Sequence, residues 1–154
     1  MSESAYRTIV VGTDGSDSSL RAVARAGALA GATGATLVIA CAYLPAESDD
    51  RETAKAQDAL GEDAYQIVGS HPAEDTVRTA HEKASAAGAK DVKTLAIQGS
   101  PVEALLDVVK RENADLLVVG NRGLAGIKGR LLGSVPADAT RRSQVDVLVV
   151  HTTG

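Results

Sequence analysis

The chain contains no phenylalanine and no tryptophan, and its aromatic side chains are three tyrosines in 154 residues. Nucleobases would find almost nothing to stack on. A net charge of −4 with a pI near 5.3 adds no basic footprint, so nucleic acid is not expected as a partner. The single cysteine, Cys41, excludes an internal disulfide and is too little thiol for a zinc site. Its surroundings suit a small core residue on a buried strand. No apolar run approaches the roughly 20 residues of a membrane span, so no membrane partner is expected. The start, MSESAYR, lacks the basic stretch and apolar core of a signal peptide, and a cytoplasmic location follows by default. The histidines, His71, His81 and His151, have no spacing that groups them. No Ser-His-Asp or Cys-His set is evident and no carboxylate pair is placed at the glycine-rich stretch, so no catalytic and no metal-binding residues are assigned. A Walker A loop is absent because no Gly-Lys-Ser/Thr occurs.

What the chain has in quantity is small aliphatic residues and glycine. At 154 residues, 44% hydrophobic and 23% charged, it fits a single domain over 1–154, long enough to bury about two-thirds of its extended surface. The stretch 115–149 holds most of its information. An apolar strand, LLVVG, ends at Gly120 and runs into a loop with glycines at 120, 123, 126, 129 and 133, closed by Ser134 ahead of a short helical segment. Glycine accepts positive φ and carries no Cβ, so such a loop can turn its N–H groups toward an anion. Ser134 adds a hydroxyl at a helix start, where free amides and the dipole also favour negative charge. A flexible surface loop is the plain alternative, but the order strand, glycine loop, helix is the one nucleotide sites need. Arg122, Lys128, Arg130, Arg141 and Arg142 lie between 121 and 142 against Asp138 alone. This bias is expected to place basic charge around the cradle.

Five segments are predicted to be strands. Residues 6–12 (YRTIVVG) form a β-branched run ending in glycine. Ser16 or Asp17 can cap the helix that follows, in which Leu20, Val23, Ala24, Ala28 and Leu29 recur at helical spacing and Gly31 and Gly34 close the end. Residues 36–43 (TLVIACAY) are the second strand, which Pro45 stops. From 46 to 70 the pattern is weak, and a mobile loop with some helix is expected. A helix follows Pro72 and ends at Gly88, and 92–98 (VKTLAIQ) is the third strand. Pro101 opens a helix carrying Val102, Leu105, Leu106 and Val109 on one face. Residues 116–120 and 145–150 are the last two strands. Five apolar strands with helical crossovers predict a doubly wound parallel α/β sandwich, whose ligands lie at the carboxyl ends of strands where the winding reverses. Two strands end Val-Val-Gly, at Gly12 and Gly120. If they are neighbours across the reversal, their loops face one crevice and Asp14 confronts the glycine cradle.

The spacing Gly120-x2-Gly123-x9-Gly133-Ser134 resembles the ATP-binding motif G-x2-G-x9-G-[ST] of the universal stress protein family. VGTDGSDSS, the second strand and the VDVLVV ending extend the resemblance over nearly the whole chain. It implies strand order 3-2-1-4-5, an adenine-nucleotide-binding sandwich, and a homodimer paired through the last strand, 145–150. That pairing would also cover an apolar edge that otherwise invites aggregation. Carried onto this sequence, the resemblance puts Gly120, Asn121, Arg122, Gly123, Gly133, Ser134, Val135 and Pro136 around ribose and phosphates. It puts Gly12, Thr13 and Asp14 by the ribose and base, and Ala40 and Ala42 along the adenine. Without aromatics, the base must be gripped by aliphatic side chains and backbone hydrogen bonds. Pro136 stands where relatives have a polar residue, and the frequent H-A-P-C-P-V ending is missing; proline can occupy a first helical turn.

The implied ligand is ATP, with or without Mg2+, or cyclic AMP. A cyclic monophosphate needs one anion contact, which Ser134 and the Gly120–Gly123 backbone suffice to make. Arg122, Lys128 and Arg130 suit a triphosphate better, unless they are solvent-facing loop charges. The implied role is regulation or nucleotide sequestration with little or no turnover. An enzymatic rival exists, since TDGSDS resembles the SGGxDS loop of ATP pyrophosphatases, with Asp14 replacing a glycine. An acid there would repel pyrophosphate unless a metal intervened. A phosphoacceptor role for Asp14 is weaker still, because Gln98-Gly99 stands where a receiver-like domain needs an acid.

Overall fold

The computed structural model describes residues 5–45, 69–122 and 134–152. The elements run β1 (Thr8–Gly12), α1 (Asp17–Thr33), β2 (Thr36–Tyr43), α2 (Ser70–Ala87), β3 (Val92–Gln98), α3 (Pro101–Arg111), β4 (Leu116–Gly120), α4 (Ser134–Arg142) and β5 (Asp146–Val150). The strands form one parallel sheet in the order β3-β2-β1-β4-β5. The winding therefore reverses between β1 and β4, and the two Val-Val-Gly strands are direct neighbours, with Ile9 opposite Leu116 and Val11 opposite Val118.

Strand alternation divides the core in two. Ile9, Val11, Leu37, Ile39, Cys41, Leu116 and Val118 face α1 and α2, while Val10, Val38, Ala40, Leu117 and Val119 face α3 and α4. Both faces being covered is what the continuous apolar runs of β1, β2 and β4 require. β2 and β3 have the expected bounds. β1 starts later, at Thr8, because the Arg7 and Thr8 amides donate to the Asp115 carboxylate rather than to a strand. β5 starts at Asp146, since the Val145 amide is held by Ser143 Oγ. α2 begins at Ser70 rather than after Pro72. Pro72 lies in its first turn, where amides have no intrahelical acceptor and a missing N–H costs nothing. The weak stretch from 46 to 68 lies outside the described residues.

The inward face of α1 differs from the expected stripe. Its buried residues are Ser19, Ala22, Val23, Ala26, Gly27 and Ala30; Leu20 and Leu29 sit at the flank and Ala28 is exposed. The helix turns its smallest residues inward because α2 lies so close. A Cβ on Gly27 would stand 2.6 Å from the carbonyl oxygen of Ala84, and one on Gly31 would stand 2.4 Å from that of Gly88. Gly31 is thus an interior packing glycine, and Gly34 alone ends the helix, at φ 75° with its amide bonded to Ala30 O. On α3, Leu105 and Val109 face inward as expected, together with Ala104 and Val108, whereas Val102 and Leu106 lie at the margin.

The contact between α1 and α2 sets a sign test. Glycine to alanine inside a helix normally gains about 1 kcal/mol of propensity. Gly27→Ala is expected instead to destabilise by about 1–3 kcal/mol, the range of overpacked cores, read as a lower urea midpoint with unchanged m-value.

Candidate functional site

β1 hands the chain to a turn whose shape is set by its own side chains. The Thr13 amide donates to Ala40 O at 3.0 Å, extending the β1–β2 ladder by one residue. Asp14 Oδ1 accepts the Ser16 amide at 2.9 Å, and Gly15 between them has φ 84°, where glycine is favoured. Ser16 is the cap of α1, taking the Ser19 amide on its Oγ at 3.2 Å. The Ser19 hydroxyl donates to Ser16 O, so the Thr13 hydroxyl donates to Ser19 Oγ at 2.8 Å while accepting the Gly15 amide. Thr13 is fully buried and its hydroxyl is spent on this turn; Asp14 is 6% exposed at the crevice wall.

On the other side of the reversal, the Asn121 amide donates to Val150 O at 2.8 Å. Asn121 Oδ1 accepts from both the amide and the hydroxyl of Thr152, at 2.8 and 2.9 Å. A Cβ on Gly120 would point to the α1 face and stand 3.3 Å from Thr152 Cγ2. A Cβ on Gly12 would point the other way, 2.8 Å from Leu105 Cδ1 of α3. The two Val-Val-Gly glycines therefore admit neighbouring side chains on opposite faces of the sheet. Ala40 is buried against α3, and Ala42, on the same face and nearer the strand end, is half-buried at the mouth beside Ile97 in register.

α4 opens at Ser134. Val135 and Pro136 are buried, Val135 in the α3-side core, and Pro136 occupies the first turn as expected. Gly12, Thr13, Asp14, Gly120, Asn121 and Arg122 thus meet at the carboxyl ends of β1 and β4. Gly123 and Gly133, with the loop between them that carries Lys128 and Arg130, lie outside the described residues. Two residues of the expected basic ring are elsewhere. Arg141 and Arg142 close α4 about 12 Å from its start by helix rise, pairing with Asp138 and, at 2.7 Å, with Glu103. There they complement the negative helix end. A cavity of about 510 Å³ beside them is lined by Glu103, Leu106, Lys110, Asn113, Arg142 and Val145. Asn113 and Val145 precede β4 and β5, so it opens at the amino-terminal edge of the sheet, away from the crevice.

Ser18, Ser19 and Thr152 contribute to this end of the sheet without having been expected there. Ser19 carries a local signal, three residues after its cap. Thr152 carries none, its partners being 31 and 134 residues distant in sequence.

The strand order and the reversal between β1 and β4 define a doubly wound α/β sandwich, the class whose ligands lie at such a switch point. The comparisons narrow this class. The universal stress protein family model matches residues 5–151, and the chain belongs to that family. It is 55% identical over 150 residues to the universal stress protein Rv1636 of Mycobacterium tuberculosis, covering 97% of this chain and 99% of the relative. A universal stress protein of Thermus aquaticus is 33% identical over 95% of this chain and 99% of its own length. Among solved structures, a universal stress protein in complex with cAMP is 49% identical, with a TM-score of 0.74 over 97% of this chain and all of the other.

Behind the crevice, on the α1 face, Cys41 is fully buried and its thiol is pushed up to about 12, first by burial and then by the Asp14 carboxylate. The folded state therefore holds the proton more tightly than the unfolded chain, whose thiol titrates near 9.0. The stabilisation is fully present below pH 9.0 and is lost as pH rises toward about 12. At pH 8, iodoacetamide should label native Cys41 at least about a hundredfold more slowly than the urea-unfolded chain, because thiolate and access are both lacking. Comparable labelling rates would contradict the burial.

Proposed function

We propose that this universal stress protein binds an adenine nucleotide, ATP or cyclic AMP, in the crevice between β1 and β4, and acts by holding it rather than turning it over. The observation that carries the reading is the meeting of the Asp14 turn with the Gly120–Asn121 corner at the topological reversal, under the spacing Gly120-x2-Gly123-x9-Gly133-Ser134. A 49% identical protein crystallised with cAMP supports the ligand class.

In this reading the phosphates lie on the loop and the amides at the start of α4, where helix polarity favours anions. A carboxylate beside them would repel phosphate, so Asp14 belongs at the sugar, accepting a hydroxyl. Gly12 and Thr13 supply backbone there, the Thr13 hydroxyl already being occupied. Ala40 and Ala42 form the floor under the adenine, their methyl groups leaving the room that larger side chains would fill. Gly123, Gly133, Ser134, Val135 and Pro136 complete the phosphate side, with Arg122 at its entrance. Mg2+, where present, would arrive with ATP.

Calorimetry with ATP, cyclic AMP, AMP and GTP is the test. Saturable binding of at least one adenine nucleotide, with GTP weaker and no pyrophosphate released from ATP, is expected. No binding of any adenine nucleotide removes the reading. Gly123→Glu, which crowds and charges the loop, should abolish binding while leaving the far-UV spectrum and urea midpoint unchanged.

The same reading includes a homodimer through β5. This strand ends the sheet, and among the described residues nothing pairs with its outer edge, on which Leu148 is 36% exposed. Antiparallel pairing with its twin would satisfy that edge. Light scattering at micromolar concentration should give twice the 15.7 kDa chain mass, and a monomer would refute it.

A further inference from the structure

Two residues beyond the end of β5, Thr152 is 3% exposed and has every polar atom engaged. Its amide and hydroxyl both donate to Asn121 Oδ1. A hydroxyl has one proton, so the short contact between Ser18 Oγ and Thr152 Oγ1 runs with Ser18 as donor. The Thr152 carbonyl accepts from the Arg21 guanidinium. Its methyl fills the space that the missing side chain of Gly120 leaves open. One residue thus ties the corner where β4 enters the glycine loop to the first turns of α1, whose preceding turn carries Asp14.

We infer that Thr152 is the positioning residue of the nucleotide crevice: it fixes the distance between the Asp14 turn and the Gly120–Asn121 corner, and thereby sets affinity without touching the ligand. This rests on the proposed nucleotide reading. The argument is geometric. Asn121 Oδ1 is held from the Thr152 side, so the Asn121 side chain is drawn toward β5, and the loop is launched from a fixed point. The β1–β4 ladder ends at Val11 opposite Val118; beyond it, Ser18 and Arg21 hold Thr152 from α1, so the turns past the strand ends cannot separate without breaking this set of bonds. Backbone pairing of β4 with β5 holds Asn121 to Val150 but does not reach α1.

The decisive pair of variants is Thr152→Val, which keeps the shape and removes the hydroxyl, and Thr152→Ser, which keeps the hydroxyl and removes the methyl. By calorimetry, ATP or cyclic AMP should bind T152V about tenfold more weakly than wild type, about the net worth of one of the two hydrogen bonds lost with the hydroxyl, while T152S stays within about twofold. In parallel, amide exchange at Asn121 should quicken in T152V and not in T152S, with exchange at Val38 and Ile39 in the sheet centre unchanged. Wild-type affinity in T152V, or equal losses in both variants, overturns the proposal. So does quickened exchange throughout the sheet, which would make Thr152 merely structural. A wild-type protein that binds no adenine nucleotide refutes the nucleotide reading itself, and unaltered Asn121 exchange in T152V then refutes the clamp separately.

Discussion

A core without phenylalanine or tryptophan, rich in alanine and glycine, keeps its density by close approach of neighbouring elements. The molecule depends on this close approach. α1 presents Ala22, Ala26, Gly27 and Ala30 inward, and at Gly27 and Gly31 a side chain would collide with the backbone of α2 and its terminus. On the opposite face Gly12 admits Leu105 of α3, and at the edge of the reversal Gly120 admits Thr152. Glycine thus serves contacts between neighbouring helices and between helix and sheet as well as turns, while β1, β2 and β4 are nearly completely buried.

The same constraint shapes the crevice. Because β1 and β4 are pinned from both faces, the turns that leave them start from fixed points, and short polar side chains suffice to set their geometry. Asp14, Ser16, Ser19 and Thr13 bond to one another within seven residues; Asn121 and Thr152 do the same work across the β4–β5 ends. Rigid strand ends carrying short polar loops favour a site that positions a ligand. Among the described residues, the acid at this crevice is Asp14, on the β1 side.

Much of this could be read before folding. The bounds of β2 and β3 and a cap at Ser16 or Asp17 follow from local patterns, because continuous apolar runs and turn residues act over a few positions; the pairing of the two Val-Val-Gly strands is long-range, and the strand order comes from the family resemblance. The inward face of α1 departs from the expected stripe because hydrophobic periodicity marks the largest residues, whereas close helix contact selects the smallest. Sequence proximity places Arg141 and Arg142 near the cradle, but one helix carries them to its far end and into ion pairs. Thr152 was invisible for a deeper reason. Its partners Asn121, Ser18 and Arg21 come from three separate elements, and no spacing rule connects residues that only the completed sheet brings together.

Asp14 brings these threads to one question of orientation. Its Oδ1 is held by the Ser16 amide, and its second oxygen bonds to none of the described residues. A carboxylate fixed in that way is an acceptor for a donor hydroxyl and a repellent for phosphate, at a point of low solvent exposure where both effects are stronger than in water. The opposite wall ends in a helix start, whose amides have the reverse preference. Under the proposed nucleotide reading, a ligand with a hydroxyl-bearing sugar and an anionic group would be oriented by these two polarities, sugar toward β1 and phosphate toward α4. ATP and cyclic AMP each keep a 2′-hydroxyl, but they differ in negative charge and at the 3′-oxygen, which is free in ATP and esterified in cyclic AMP. Under the proposed reading the Asp14 turn would therefore take part in telling them apart, since a carboxylate at the sugar accepts from a free 3′-hydroxyl and repels an esterified one.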